Sequence, residues 1–239
     1  MYKARTYRKW VKNEDLIAFE VIEKETDLFI SAETDLAANA RASILTYRSD
    51  IEKYIKKHPD FYSSLEPVNI YPDAPDIIKA MAEASGRAAV GPMAAVAGAV
   101  AEFVGRDLLK LTGQVIVENG GDIFIKTLKP RAIGIYAGEA SPFTGKLKLE
   151  IVPNENGIGV CTSSGTVSHS LSFGKADAAL IISEDTALAD AMATAVGNIV
   201  KRPDDVEKAV NFGKSIEGVK GILVLIGNKM GSWGEIKIL

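Results

Sequence analysis

Apolar and polar side chains alternate over residues 3–12 and again over 16–24, with Asn13, Glu14 and Asp15 between them. Period-two alternation on either side of a polar turn predicts a β-hairpin. A third short strand is predicted at 28–31. The period then changes. Leu36, Ala40, Ile44, Tyr47, Ile51 and Ile55 follow one another at steps of three or four, which draws a single apolar stripe along a long helix. Thr34 and Asp35 stand where an N-cap is needed, and His58 before Pro59 ends the stripe. Residues 61–73 hold Pro67 and Pro72 and read as irregular. Residues 75–86 read as a helix with Gly86 as its C-cap. Gly91 and Pro92 open a second long helix that runs to Leu111, because proline is best tolerated in the first turn. Strands follow at 114–119 and 122–127 around Gly120 and Gly121, then at 132–137, 146–152, 158–162 and 177–183. A helix over 187–200, capped from within 183–186, a short helix over 204–213, and strands at 221–226 and 234–238 close the chain.

The strands come in hairpin-like clusters rather than alternating one by one with helices. That predicts an α+β fold of mostly antiparallel sheet, with helices packed on one face. No repeat, linker or low-complexity tract divides residues 1–239, so the chain reads as one domain with room for two sub-lobes. At 239 residues it can bury roughly 70% of its unfolded surface without staples. Only 2 His and 1 Cys are present. A lone Cys161 forbids an internal disulfide and fits a reducing, cytoplasmic compartment. So few thiols and imidazoles cannot build a structural zinc site. A net charge of −3 offers no global field for nucleic acid. The longest uncharged apolar run lies between Arg87 and Glu102. It falls short of the ~20 residues that span a bilayer, and the N-terminus lacks the apolar core of a secretory signal, so no membrane partner is expected.

Chemistry must therefore rest on carboxylates, hydroxyls, cations and backbone groups. On the helix 187–200, Asp190 and Thr194 are four apart and share one face among small side chains. A carboxylate and a hydroxyl so placed suit Mg²⁺. Equally, the Asp could answer the helix dipole and the Thr could bond back to a carbonyl. Gly120 and Gly121, flanked by Asn119 and Asp122, could admit a ligand to the backbone or simply turn a hairpin. Thr162, Ser163, Ser164 and Gly165 after a strand could aim N–H groups and hydroxyls at an anion, or form a plain polar loop. His169 and Lys175 lie close behind and could serve proton transfer or charge neutralisation. Cys161 reads as a small buried strand residue.

Three segments in order, ENGGDI (118–123), CTSSG (161–165) and ALADAMATAVG (187–197), resemble the ApbE-like family, the Mg²⁺-dependent FAD:protein FMN transferases. The match is good over roughly 91–200. The resemblance implies a T-fold-like α+β arrangement. It also implies a metal and nucleotide site between the Gly-Gly turn, the Thr-Ser-Gly loop and the helix start, with Asp190 and Thr194 as metal ligands, Mg²⁺ and FAD or FMN as cofactors, and a small-molecule or protein partner. Two family features are missing. Where a Lys-Gly-x-x-x-Asp stretch should open a helix, the chain reads Gly91-Pro92-Met93-Ala94-Ala95. The His-Ile-x-Asp-Pro-x-Thr-Gly segment after the Thr-Ser-Gly loop is also absent, so His169 has no assigned family equivalent. The chain looks like a shorter ApbE-like branch, found largely in anaerobes and associated with sulfide assimilation into homocysteine. Three readings follow: an enzyme or enzyme component with a metal and phosphate site, a retained FMN transferase, and a non-catalytic flavin-binding or assembly protein. Alanine- and glycine-rich helices and free strand edges add the expectation of a homodimer.

Overall fold

Alternation along the strands decides which side chains face the helices. In a computed structural model, which describes residues 8, 15–139, 141–165 and 173–239, β1 (Ile17–Glu23) and β2 (Thr26–Ala32) form a hairpin turned at Lys24 and Glu25. Of the predicted strand 3–12, only Arg8 is among the described residues. The strand predicted over 16–24 is β1, and it pairs forward with β2, which covers the predicted third strand. Next come α1 (Ala37–Lys57), a single turn α2 (Asp60–Ser63), α3 (Asp76–Ala88), a 3₁₀ turn (Pro92–Ala95) and α4 (Val96–Leu108). Then follow β3 (Val115–Asn119), β4 (Asp122–Lys126), β5 (Arg131–Gly134), β6 (Lys148–Ile151), β7 (Ile158–Ser163), β8 (Ala178–Ser183), α5 (Thr186–Ile199), α6 (Val206–Lys214), β9 (Val219–Ile226) and β10 (Lys229–Gly234).

Among the described residues, eight strands form one sheet in the order β1-β2-β3-β4-β7-β8-β9-β10, with every pair antiparallel. Each half repeats one plan: a hairpin, helices, then a second hairpin. Leu28, Ile30, Val115, Val117, Phe124, Cys161, Ile181, Ile222 and Val224 face the helices and share their core. The alternate residues Ile125, Val160, Leu180, Ile182, Leu223 and Leu225 face the other way, under the separate hairpin of β5 and β6. β8 is therefore buried on both faces and reads as a continuous apolar run. The observed class is the expected α+β fold with mostly antiparallel sheet. No single helix among the described residues is long and apolar enough to cross a membrane.

Three sequence expectations shift. The helix expected over 91–111 is broken, because Ala95 leaves helical geometry (φ −113°, ψ 1°) and α4 starts anew at Val96. α3 runs past Gly86 and ends where Ala89 turns left-handed (φ 55°). The last strand is not 234–238 but β10, paired to β9. Ile236 and Ile238 instead pack on the far-face core, and Ile238 bridges Leu149. Their alternation answers to that packing rather than to a ladder with β9.

Candidate functional site

Small residues let α4 and α5 come unusually close. A Cβ on Gly98 would lie 2.4 Å from the Thr186 carbonyl oxygen and 2.7 Å from Asp190 Cβ. Gly98 N–H donates to Asp190 Oδ2 at 2.8 Å. The first N–H groups of a helix have no partner within it, so the break at Ala95 turns the start of α4 into a donor for a carboxylate on α5. The N–H of Ala97 contributes as well. Asp122, at the start of β4, also points to the helix side and acts on both Asp190 and Cys161. Burial pushes the Asp190 carboxyl well above the usual range, the Asp122 charge adds to the push, and the two N–H groups oppose it. Burial and the same two carboxylates push the Cys161 thiol well up, and its Sγ lies 3.5 Å from the Thr186 carbonyl oxygen. A thiol so placed stays protonated and is no nucleophile.

The remaining groups are strung along α5. A Cβ on Gly159 would meet Thr186, whereas Ser163 lies 3.8 Å from the Cβ position of Gly197. β7 thus runs beside α5 from its first turn to its last. Thr162 and Ser163, at the end of β7, and Ser164 and Gly165 after it lie by the helix C-terminal half. Seven residues separate Gly197 from Asp190, about 10 Å of helix rise. Thr194, half-buried, occupies the turn between. Gly121 approaches the Thr162 carbonyl oxygen, 3.8 Å from the Cβ position.

Several predicted backbone donors already have partners. Gly121 N–H goes to Glu118 Oε1 at 2.8 Å, and Gly165 N–H to the Ala176 carbonyl at 2.9 Å. The Asn119 amide donates to the Ala97 carbonyl at 3.1 Å, so it braces the start of α4. Gly120 is exposed at the turn, and Ser163 and Ser164 are buried. Lys175 is exposed, and its N–H is fixed to the Val200 carbonyl. Val200 is ten residues past Asp190, about 15 Å along the axis, beyond the reach of a lysine side chain. Lys175 therefore belongs to the loop end and not to the carboxylate pair. His169 lies outside the described residues.

The i, i+4 spacing singles out Asp190 and Thr194 in the sequence. It missed the pairing of Asp190 with Asp122 and the role of Glu102. Buried Glu102 accepts Thr186 N–H at 2.7 Å and so fixes the first residue of α5. No periodicity links residues so far apart in the chain.

Two carboxylates and a hydroxyl form an all-oxygen donor set, which suits the hard Mg²⁺ that the resemblance implies. No cluster of three or more His, Cys, Asp or Glu able to hold a metal occurs among the described residues. A ligand's phosphate oxygens and water would have to complete the shell, which is how Mg²⁺ is commonly held.

A family model described as "AbpE bacteria" matches residues 8–231. A UPF0280 protein of Methanococcus aeolicus is 42% identical over 218 residues, covering 89% of this chain and 88% of its own length. A UPF0280 protein of Methanocaldococcus jannaschii is 40% identical over 222 residues, covering 90% of each. Among solved structures, the apo flavinyl transferase ApbE of Pseudomonas stutzeri superposes with a TM-score of 0.58 at 16% identity, covering 91% of this chain and 93% of that one. The ApbE protein of Thermotoga maritima gives 0.59 at 14% identity, covering 92% and 97%. At such identities the likeness establishes the fold.

Proposed function

Because the chain belongs to the ApbE family, we propose that it binds a flavin nucleotide together with a divalent cation along the face shared by β4, β7 and α5. The buried pair of Asp122 and Asp190 carries this reading. Two like charges in one buried place raise each other's cost, and a cation between carboxylates and phosphate oxygens removes that cost. Asp190 and Asp122 hold the ion, Thr194 supplies a hydroxyl, and the N–H groups of Ala97 and Gly98 keep Asp190 in place. Thr162, Ser163 and Ser164 receive the rest of an extended dinucleotide, with the Lys175 cation at the loop end, and His169 is kept as the candidate proton carrier. A divalent ion there would stabilise charge developing on a leaving phosphate.

FAD and Mg²⁺ added together should raise the melting temperature more than either alone, since a ligand that binds only the folded state stabilises it. No shift under any of the three conditions would sink the reading.

Transfer of FMN to a partner protein is the second reading, favoured by the fold shared with the flavin transferases. Against it stands the 3₁₀ turn at Pro92–Ala95, which offers neither Lys nor Asp. Incubation with FAD, Mg²⁺ and candidate partners, read by intact mass, decides between them: an added FMN mass supports transfer, and unchanged masses leave binding alone. The cytoplasmic setting, a homodimer, and the branch's link to sulfide assimilation into homocysteine belong to the same proposal. A deletion strain unable to grow on sulfide as sole sulfur source, and rescued by homocysteine, would support the metabolic part.

A further inference from the structure

We propose that Arg8 and Glu118 form a positioning device for the turn at Gly120 and Gly121, acting through the sheet from the face opposite the helices. The inference rests on the site reading above, because that turn carries Asp122 into the site.

Val115 and Val117 on β3 face the helix-side core, and Asn119 reaches the start of α4. By the two-residue period, Glu118 points to the other side. Its carboxylate is buried, and its two oxygens are divided. Oε1 accepts Gly121 N–H at 2.8 Å, and Oε2 accepts Arg8 Nε–H at 2.6 Å. The turn itself needs φ > 0 at both positions, with Gly120 at 70° and Gly121 at 108°, so its residues are glycines whose own freedom would otherwise blur it.

Arg8 is spent in every direction. It donates to Glu20 at 2.7 Å, to Asp27 Oδ1 at 2.8 Å and to the Asp27 carbonyl at 2.9 Å. Its guanidinium carbon lies 5.6 Å from the centre of the Phe29 ring, and only 8% of its side chain is exposed. Asp27 and Phe29 alternate with Leu28 and Ile30 of the helix-side core, so they lie on the same far face as Glu118. A guanidinium fixed at this many points gives the Glu118 carboxylate a firm anchor. The next residue after Gly121 is Asp122, which β4 then presents to Asp190. Arg8 is thus a positioning residue for a carboxylate on the opposite side of the sheet.

The test compares the full chain with Glu118→Gln, Arg8→Met, Arg8→Lys and Arg131→Met. Arg131 is the control. It is buried and donates to Asp15, Gln114 and Thr127. Amide hydrogen exchange at Gly121 is read by NMR, and FAD affinity in Mg²⁺ by calorimetry. Losing a charge-assisted hydrogen bond should speed exchange at Gly121 and weaken FAD binding by roughly tenfold each in Glu118→Gln and Arg8→Met. Arg8→Lys should recover part of both. Arg131→Met should lower the melting temperature and leave both readouts alone. Unchanged exchange at Gly121 in Glu118→Gln overturns the proposal, as does an equal loss of affinity in Arg131→Met. If Arg8→Met does not fold, the near-isosteric Glu118→Gln decides. Failure of the unaltered protein to bind FAD refutes the site reading, while exchange at Gly121 still judges the positioning claim on its own.

Discussion

Asp190 answers two demands at once, capping α4 through Gly98 and standing beside Asp122. Gly98 is where those demands meet. Gly98→Ala would place a methyl 2.4 Å from a backbone oxygen, which cannot move aside cheaply, so α4 and α5 must separate. We expect a loss of about 1–3 kcal/mol in urea unfolding, the usual scale of overpacking, together with loss of FAD and Mg²⁺ binding. A second residue-scale prediction concerns Tyr47, whose hydroxyl donates to Asp107 at 2.8 Å. Burial first, and then Asp107, push its pKa up to about 12. The folded value lies above the unfolded value near 10. Its contribution to stability is therefore complete below pH 10 and is lost as pH rises toward 12. In an absorbance titration at 295 nm, Tyr47→Phe should remove an ionisation near pH 12 and should flatten the alkaline limb of stability. The sequence showed Asp190 and Thr194 because four residues on a helix are neighbours. It could not show the Gly98 hydrogen bond to Asp190 or the Asp122 charge acting on it, since both arise only when α4, β4 and α5 pack.

At the scale of elements, α5 is held at its start by two carboxylates. Asp185 accepts Leu188 N–H at 2.8 Å, and Glu102 accepts Thr186 N–H at 2.7 Å while paired with Arg106. Glu102→Gln should cost about 1–2 kcal/mol, as losses of a charged cap do. Urea unfolding measures this, and a change near zero would show that Asp185 alone suffices. A cap within 183–186 was legible from residue types. The cap from α4 was not, because it comes from another helix. The break at Ala95 was equally hidden: the apolar pattern runs through it without interruption, and only the packing of Gly91 against the Ser64 carbonyl and of Gly98 against Thr186 turns the chain there. β10 was misplaced for the opposite reason. As an edge strand with two glycines and mostly exposed side chains, it carries little hydrophobic signal. The better alternation of 234–238 belongs to packing on the far-face core.

For the whole molecule, hairpin clustering made the antiparallel α+β class readable, and the eight-stranded sheet bears it out. The doubled plan of hairpin, helices and hairpin left no sequence repeat to detect. The far face divides by chemistry: apolar beneath β5 and β6, polar where Arg8 and Arg131 tie down the first half. Asp15 joins the approach to β1 to Arg131 at 2.6 Å. Hydrogen bonds from Arg131, then Lys129, hold its carboxyl well below the usual range. A depressed carboxylate stabilises above its unfolded pKa, and that stability is lost as pH falls below the ordinary Asp value near 3.9. Asp15→Asn should therefore make the acid limb of the melting curve shallower, and an unchanged limb would place the acid sensitivity elsewhere. The central claim is that Asp190 and Asp122 hold a divalent cation against a phosphate-bearing ligand. Calorimetric titration of FAD with and without Mg²⁺, in the unaltered protein and in Asp190→Ala, tests it most directly. Saturable binding is expected only when Mg²⁺ and Asp190 are both present. Binding that is equal without Mg²⁺, or undiminished in Asp190→Ala, would contradict it.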